Sequence, residues 1–262
     1  MRLTRIILTA LAVAACAPSV GSCQYAPQWH VGDWWVVKTW KPSMSGDWVW
    51  DHMRYDIVGV QKVGGRDCFV LETRFQGPKG TLARTKNVLY VRTDDWLVVR
   101  QAVTTTFHDT LLPPVITDCP LGQFGPFQGG ELRLPRFPLQ LGNPDTTFKR
   151  QMRDDCAADL REISRSADSA LVKRLLDEGD TTGGRVVRPT GEVFAVRSEM
   201  GGNLGLGPLP GPGESRITQS FQLWCKDQPW RLFEELVLYR GEKRVRSVVE
   251  WSWLISSGHS GR

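Results

Sequence analysis

The side chains that most often do chemistry are sparse and poorly grouped in this chain of 262 residues. The four histidines, His30, His52, His108 and His259, have no paired spacing, and neither CxxC nor HExxH occurs, so no metal site is expected. Asp51 and His52 are adjacent, and on a strand adjacent side chains leave by opposite faces. The same holds for Glu234 and Glu235, although a carboxylate pair that converges only in space leaves no trace in sequence. Asp94-Asp95 has the look of turn chemistry. No GxSxG elbow is present, and the glycine-rich loop 201–213 lacks the Lys-Ser/Thr that completes a phosphate-cradling loop. No catalytic residue, metal or cofactor is predicted.

Cysteine chemistry is a different matter. Arg2 and Arg5 precede a ten-residue apolar run, Ile6 to Ala15, too short to span a bilayer, which takes about 20 residues. It fits a secretory signal over residues 1–22. Val13-Ala14-Ala15-Cys16 and Val20-Gly21-Ser22-Cys23 each resemble the bacterial lipoprotein cleavage box, in which the cysteine is lipidated and becomes the first residue. Cys16 directly follows the apolar run; Cys23 would leave an even number of cysteines. Those four, Cys68, Cys119, Cys156 and Cys225, are disulfide candidates in an exported chain. The expected pairing is Cys119 with Cys156 across a loop-rich stretch, leaving Cys68 with Cys225; four free thiols are the alternative.

Aromatic side chains supply the strongest local signal. Trp29 to Trp50 reads WHVGDWWVVKTWKPSMSGDWVW and holds six of the eleven tryptophans. Trp34 and Trp40 fall on one side of a strand and Trp35 on the other. Tryptophans filling a core need no further explanation. So many on two neighbouring strands, on both faces, exceed what one core face requires, and Trp34, Trp40, Trp48 and Trp50 are the candidate ligand-binding residues.

The elements that must position them read as mainly β (α+β). Residues 24–31 look like a short tether, and Gly32-Asp33 turns into a strand at 34–40. Further strands follow at 48–61, 68–75, 88–92 and 96–108, separated by Gly, Pro and Asp turns with no helix between them, which is an antiparallel meander. Residues 112–145 carry seven prolines and read as mostly irregular chain. One long amphipathic helix is expected at 154–178, because Leu160, Ile163, Ala167, Leu171 and Leu175 recur at three and four, with Gly179 as its stop. Strands at 193–200, 217–225, 230–239 and 244–255 close the fold before a disordered tail at 257–262. The expectation is a single β-rich domain over 24–256: a curved antiparallel sheet or half-barrel of about nine strands.

The net charge of +5 falls to +3 when Arg2 and Arg5 leave with the signal, and the basic residues are interleaved with acids, so no nucleic-acid partner is expected. In outline, an exported chain of long antiparallel strands with one amphipathic helix resembles the LolA/LolB-like lipoprotein carriers and receptors. The phrases WHVGDWWVV and FPLQLGNPDTTF are similar to strand openings in bacterial envelope lipoproteins. The resemblance implies a half-barrel whose concave face takes acyl chains under a helical plug, on the periplasmic side of the outer membrane or secreted. The chain departs from the carriers in lacking an N-terminal helix and placing its helix mid-chain, and no binding residue carries over. The expected function is that of a non-enzymatic envelope protein, lipid-anchored to the membrane, binding an acyl chain or apolar peptide. A polysaccharide-binding module and a hydrolase are the alternatives.

Overall fold

A computed structural model describes residues 24–43, 45–75, 83–107, 110–118, 134–135, 137–140, 146–153, 156–180, 184–201, 216–240 and 245–261. The signal segment, both candidate lipidation cysteines (Cys16 and Cys23), Cys119 and nearly all of the loop 201–213 lie outside those residues.

The Trp-rich opening forms β2 (Asp33–Pro42) and β3 (Trp48–Val63), which pair antiparallel with Trp40 opposite Trp50 and Trp35 opposite Tyr55. β-branched and aromatic residues favour this pleated, half-buried setting. The meander continues through β4 (Arg66–Phe75), β5 (Ala83–Arg92) and β6 (Val98–Phe107), with the short β7 (Thr110–Leu111) and β8 (Val115–Asp118) both on β6. A second meander runs through β10 (Thr146–Arg153), β11 (Cys156–Ser166), β12 (Val193–Gly201), β13 (Arg216–Cys225), β14 (Phe233–Arg240) and β15 (Val245–His259). Pairing of β15 with β2 joins the two into one 13-stranded, wholly antiparallel sheet, open rather than closed as a barrel. The single helix among the described residues, α1 (Ser169–Asp180), sits between β11 and β12 in sequence. The expected mainly-β half-barrel outline therefore holds, with more strands than the nine read from sequence.

Strand alternation gives the sheet two differently covered faces. On one face, Trp35 stacks on Tyr55 and Trp230 at 5.5 and 5.2 Å between ring centroids. This face is closed by the chain's own segments. Tyr25 and Trp29 are buried on it, as are Leu134, Phe137 and Leu139. Trp29 Nε1 donates to Pro229 O at 2.7 Å and the Tyr25 hydroxyl to Cys225 O at 3.0 Å. The supposed tether at 24–31 thus supplies core through Tyr25, Pro27 and Trp29, and its first residues form β1 (Gln24–Tyr25), paired with β9 (Leu139–Gln140). The proline-rich stretch 112–145, read as irregular, supplies β8, β9 and part of this lid.

The helix expected at 154–178 is corrected. Its first half is strand β11, paired on both sides, and the helix begins at Ser169. Asp168 caps it, its Oδ1 accepting from the backbone N–H of Ala170 and Leu171 at 2.7 and 3.1 Å. The strand was hidden because its closed-face positions are Glu162 and Ser164, buried but polar, so period-two hydrophobicity is missing. The expected tail is corrected as well: β15 runs to His259. Gly32, at φ +100°, accepts from Ser260 N–H at 2.8 Å, and His259 Nδ1 lies 2.9 Å from Asp33 Oδ1.

Candidate functional site

The other face is the one left partly open. Two cross-strand rows run over it. The first is Arg197, Phe221, Glu235, Trp251, Trp40 and Trp50, from β12 to β3. The second is Arg165, Ala195, Leu223, Phe233, Trp253 and Lys38, from β11 to β2. Helix α1 packs on the second row through Val172, Leu176 and Gly179. Beside it lies a groove of about 690 Å³, floored by Trp40, Trp50, Trp251, Trp253, Phe221 and Phe233 and walled by Leu171 and Leu175. That volume falls within the range of roughly 300–1,000 Å³ typical of small-molecule sites.

The tryptophans form a continuous array. Trp40 stacks on Trp50 at 4.6 Å, Trp48 touches Trp40 at 5.8 Å and Trp251 at 5.4 Å, and Trp50 reaches Trp253 at 5.8 Å. Such pairs prefer offset or tilted geometry, and each adds a modest increment beyond its buried area. Trp48, 37% exposed, stands at the groove's margin. Trp34 shares the face but not the groove: the Arg54 guanidinium lies 4.6 Å from its ring centre, and Gly258 lies directly against it. Of the four tryptophans singled out by sequence, Trp40 and Trp50 line the groove, Trp48 borders it and Trp34 lies elsewhere.

The helix is held in place from below. Lys38 is fully buried; its Nζ donates to the carbonyl of Gly179 and, at 2.9 Å, to that of Gly184, lying 5.3 and 5.7 Å from the ring centres of Trp50 and Trp253. Burial pushes the Lys38 pKa down, and Asp180 opposes that. A cation beneath the last turn also suits the negative end of the helix dipole. Trp253 Nε1 donates to Leu175 O at 3.0 Å. Gly179 permits this approach, since a Cβ there would sit 2.6 Å from the Trp253 ring. The helix also ends at Asp180, within a residue of the stop expected at Gly179. A lysine inside the run WWVVKTW was the available sequence signal for this clip.

Glu234 and Glu235 do split between the faces. Glu234 is fully buried on the closed side, where its carboxylate accepts from Arg231 at 2.6 Å, Ser220 at 2.9 Å and Gln222 at 3.0 Å. Glu235, on the groove side, accepts from Arg246 at 2.7 Å and from Trp251 Nε1 at 3.1 Å. Charged side chains in the groove lining were not anticipated from sequence: Arg165, Arg174, Arg197 and Arg246, with Glu178 and Glu235. Among the described residues no group of three or more His, Cys, Asp and Glu could hold a metal ion, and no helix is long and apolar enough to cross a membrane.

Cys68 and Cys225 are buried free thiols, on β4 and β13, with four strands between them in the sheet order. The expected Cys68–Cys225 pairing is therefore corrected. Cys225 Sγ instead donates to Asp227 Oδ1 at 2.5 Å, and burial, reinforced by that carboxylate, pushes its pKa up. Cys119 and the Cys156 side chain are outside the described residues, so their pairing is untouched.

No protein family matches the chain, and no curated protein matches it. A crystal structure of a Bacteroides fragilis protein, inferred to be exported and described as having a YmcC-like fold, is similar at 9% identity and a TM-score of 0.33, covering 90% of this chain and 100% of that one. A likeness at that level carries neither fold nor function across.

Proposed function

We propose that this is an exported, non-enzymatic envelope protein, lipid-anchored through Cys16 or Cys23, that holds an apolar ligand in the groove between α1 and the tryptophan array. The observation that carries the reading is the 690 Å³ groove floored by Trp40, Trp50, Trp251 and Trp253. Indole rings offer large apolar area, and an aromatic floor left partly open to water is the usual mark of an interaction site. The export signal and lipobox in the sequence supply the address.

Titration with a fluorescent fatty acid, read by tryptophan quenching and energy transfer, tests the groove. Saturable binding that weakens at least tenfold in Trp40→Ala and Trp251→Ala is expected, since each removes a large part of the floor. No spectral change at saturating ligand would sink the reading. Binding of soluble glycans in place of lipids would shift it to a polysaccharide module, which the exposed edge of Trp48 could serve. Mass spectrometry of the mature N-terminus tests the anchor, where a free, unmodified amine would count against it.

A further inference from the structure

We infer that the groove's ligand is an anionic single-chain amphiphile, its head held by Arg165, Arg174 and Arg197 and its tail lying across the strands on Trp251, Trp40 and Trp50. The inference rests on the groove being a ligand site and adds the chemistry of what it takes.

The groove is graded along its length. Following the first cross-strand row from β3 to β12, the floor is indole at Trp50, Trp40 and Trp251, then phenyl at Phe221, then guanidinium at Arg197. The second row ends in the same way, with Arg165 beyond Phe233. Helix α1 brings Arg174 to the same lining. At a strand spacing of about 4.8 Å, five strand intervals from Trp50 to Arg197 amount to roughly 24 Å along the sheet. That is room for an extended chain lying across the strands with one end among arginines.

Charge decides which head group fits. The lining holds four arginines against two glutamates, a net charge of +2. Arg246 is already matched by Glu235 at 2.7 Å. Arg165, Arg174 and Arg197 are exposed and take part in no ion pair or side-chain hydrogen bond among the described residues, whereas most other basic groups around the sheet are engaged, as Arg54 is with Asp56 and Lys86 with Glu72. Guanidinium groups gathered at one end of an apolar groove, with no carboxylate bonded to them among the described residues, are suited to a carboxylate or phosphate, which they bind through charge-assisted hydrogen bonds. A neutral head would gain less from them, and a cationic one would be repelled.

The test uses three probes with one tail: dodecanoate, dodecanol and dodecyltrimethylammonium, titrated into the wild-type chain by tryptophan emission. Dodecanoate is expected to bind about tenfold or more tighter than dodecanol, with the cation weakest, and its advantage to shrink at high salt. In Arg165→Gln/Arg197→Gln the preference for dodecanoate disappears while dodecanol affinity stays put, which also shows that the variant retains its groove. Arg174→Gln alone gives a partial loss. Equal binding of dodecanoate and dodecanol to the wild type overturns the head-group assignment and leaves the groove reading standing. Failure of every probe to bind overturns both.

Discussion

Gly179→Ala sets two known effects of opposite sign against each other. In an exposed helix interior the change stabilises by about 1 kcal/mol through helix propensity. Here the new Cβ would lie 2.6 Å from Trp253 Cδ1, 2.7 Å from its Nε1 and 2.8 Å from Val186 Cγ1. The indole cannot swing away freely: Nε1 is bonded to Leu175 O at 3.0 Å and the ring packs on Phe233 at 5.5 Å. Relief requires either an off-rotamer Trp253, costing about 0.5–1.5 kcal/mol, or a lift of α1 that stretches the Lys38 bonds to Gly179 and Gly184. Overpacking of this kind costs about 1–3 kcal/mol. Near the helix end the propensity gain is reduced, so packing wins and the variant should lose about 1–2 kcal/mol. For a chain of this size that is a fall in melting temperature of about 2–8 °C. Urea unfolding followed by far-ultraviolet circular dichroism gives the stability, and tryptophan emission reports whether the groove floor has moved. A Gly179→Ala variant as stable as the wild type, or up to about 1 kcal/mol more stable, would refute the close packing of α1 on Trp253.

Three further outcomes are expected. Lys38→Met keeps the aliphatic stem but removes the Nζ donor to the carbonyls of Gly179 and Gly184; relief from burying an ammonium offsets part of the loss, so chemical unfolding should show a net cost of about 1–2 kcal/mol, and the loosened α1 should weaken ligand binding. Glu234→Ala strips the buried Arg231 of its carboxylate partner and should cost about 3–5 kcal/mol, readable as a large drop in the urea midpoint. Glu72 is held below the ordinary carboxylate value: burial raises it, but the combined hydrogen bonds and charges of Lys86 and Arg74, at 2.6 and 2.9 Å, outweigh that. Its contribution is therefore present above the unfolded carboxylate pKa and lost as pH falls through the lower folded value. A pH series of unfolding midpoints should show a shallower acid limb in Glu72→Gln, and identical limbs would refute the pairing.

What was legible in the sequence was whatever alternation or turn chemistry could express locally. Trp34 and Trp40 opposite Trp35 and the split of Glu234 from Glu235 follow from period two, the turn at Gly32-Asp33 follows from turn chemistry, and all are found. β11 was not legible, because its buried positions are Glu162 and Ser164 and its Leu160 and Ile163 happen to fit a helical stripe. Long-range pairing with β12 overrode that pattern. The segment 24–31 and the stretch around Phe137 looked like connections because their apolar residues are isolated in sequence. Only the fold brings Trp29 within 4.7 Å of Trp96, or Phe137 within 5.2 Å of Trp224. The arginines of the groove were invisible for a related reason. They come from β11, α1 and β12, elements that had to be placed correctly before Arg165, Arg174 and Arg197 could be seen to share a lining.

The misread helix and the open groove have one cause. The helix expected from sequence spans about twice the residues of α1 and would be roughly 37 Å long. Conversion of its first half into β11 does two things at once. It widens the sheet by a strand, and it leaves a helix of 12 residues, about 18 Å long, to cover that face. The row from Trp50 to Arg197 alone takes roughly 24 Å of sheet, and α1 is fastened beside that row, over Trp253 and Lys38, rather than along it. Trp40, Trp50 and Trp251 are therefore left half-buried because α1 lies beside their row and not over it. The opposite face shows the contrast: there two segments of the chain itself lie over Trp35 and Trp230, and both rings are fully buried. One sheet, with tryptophans on both sides, has one side finished by its own chain and the other finished only in part. The unfinished side is where Arg165, Arg174 and Arg197 stand, unpaired among the described residues.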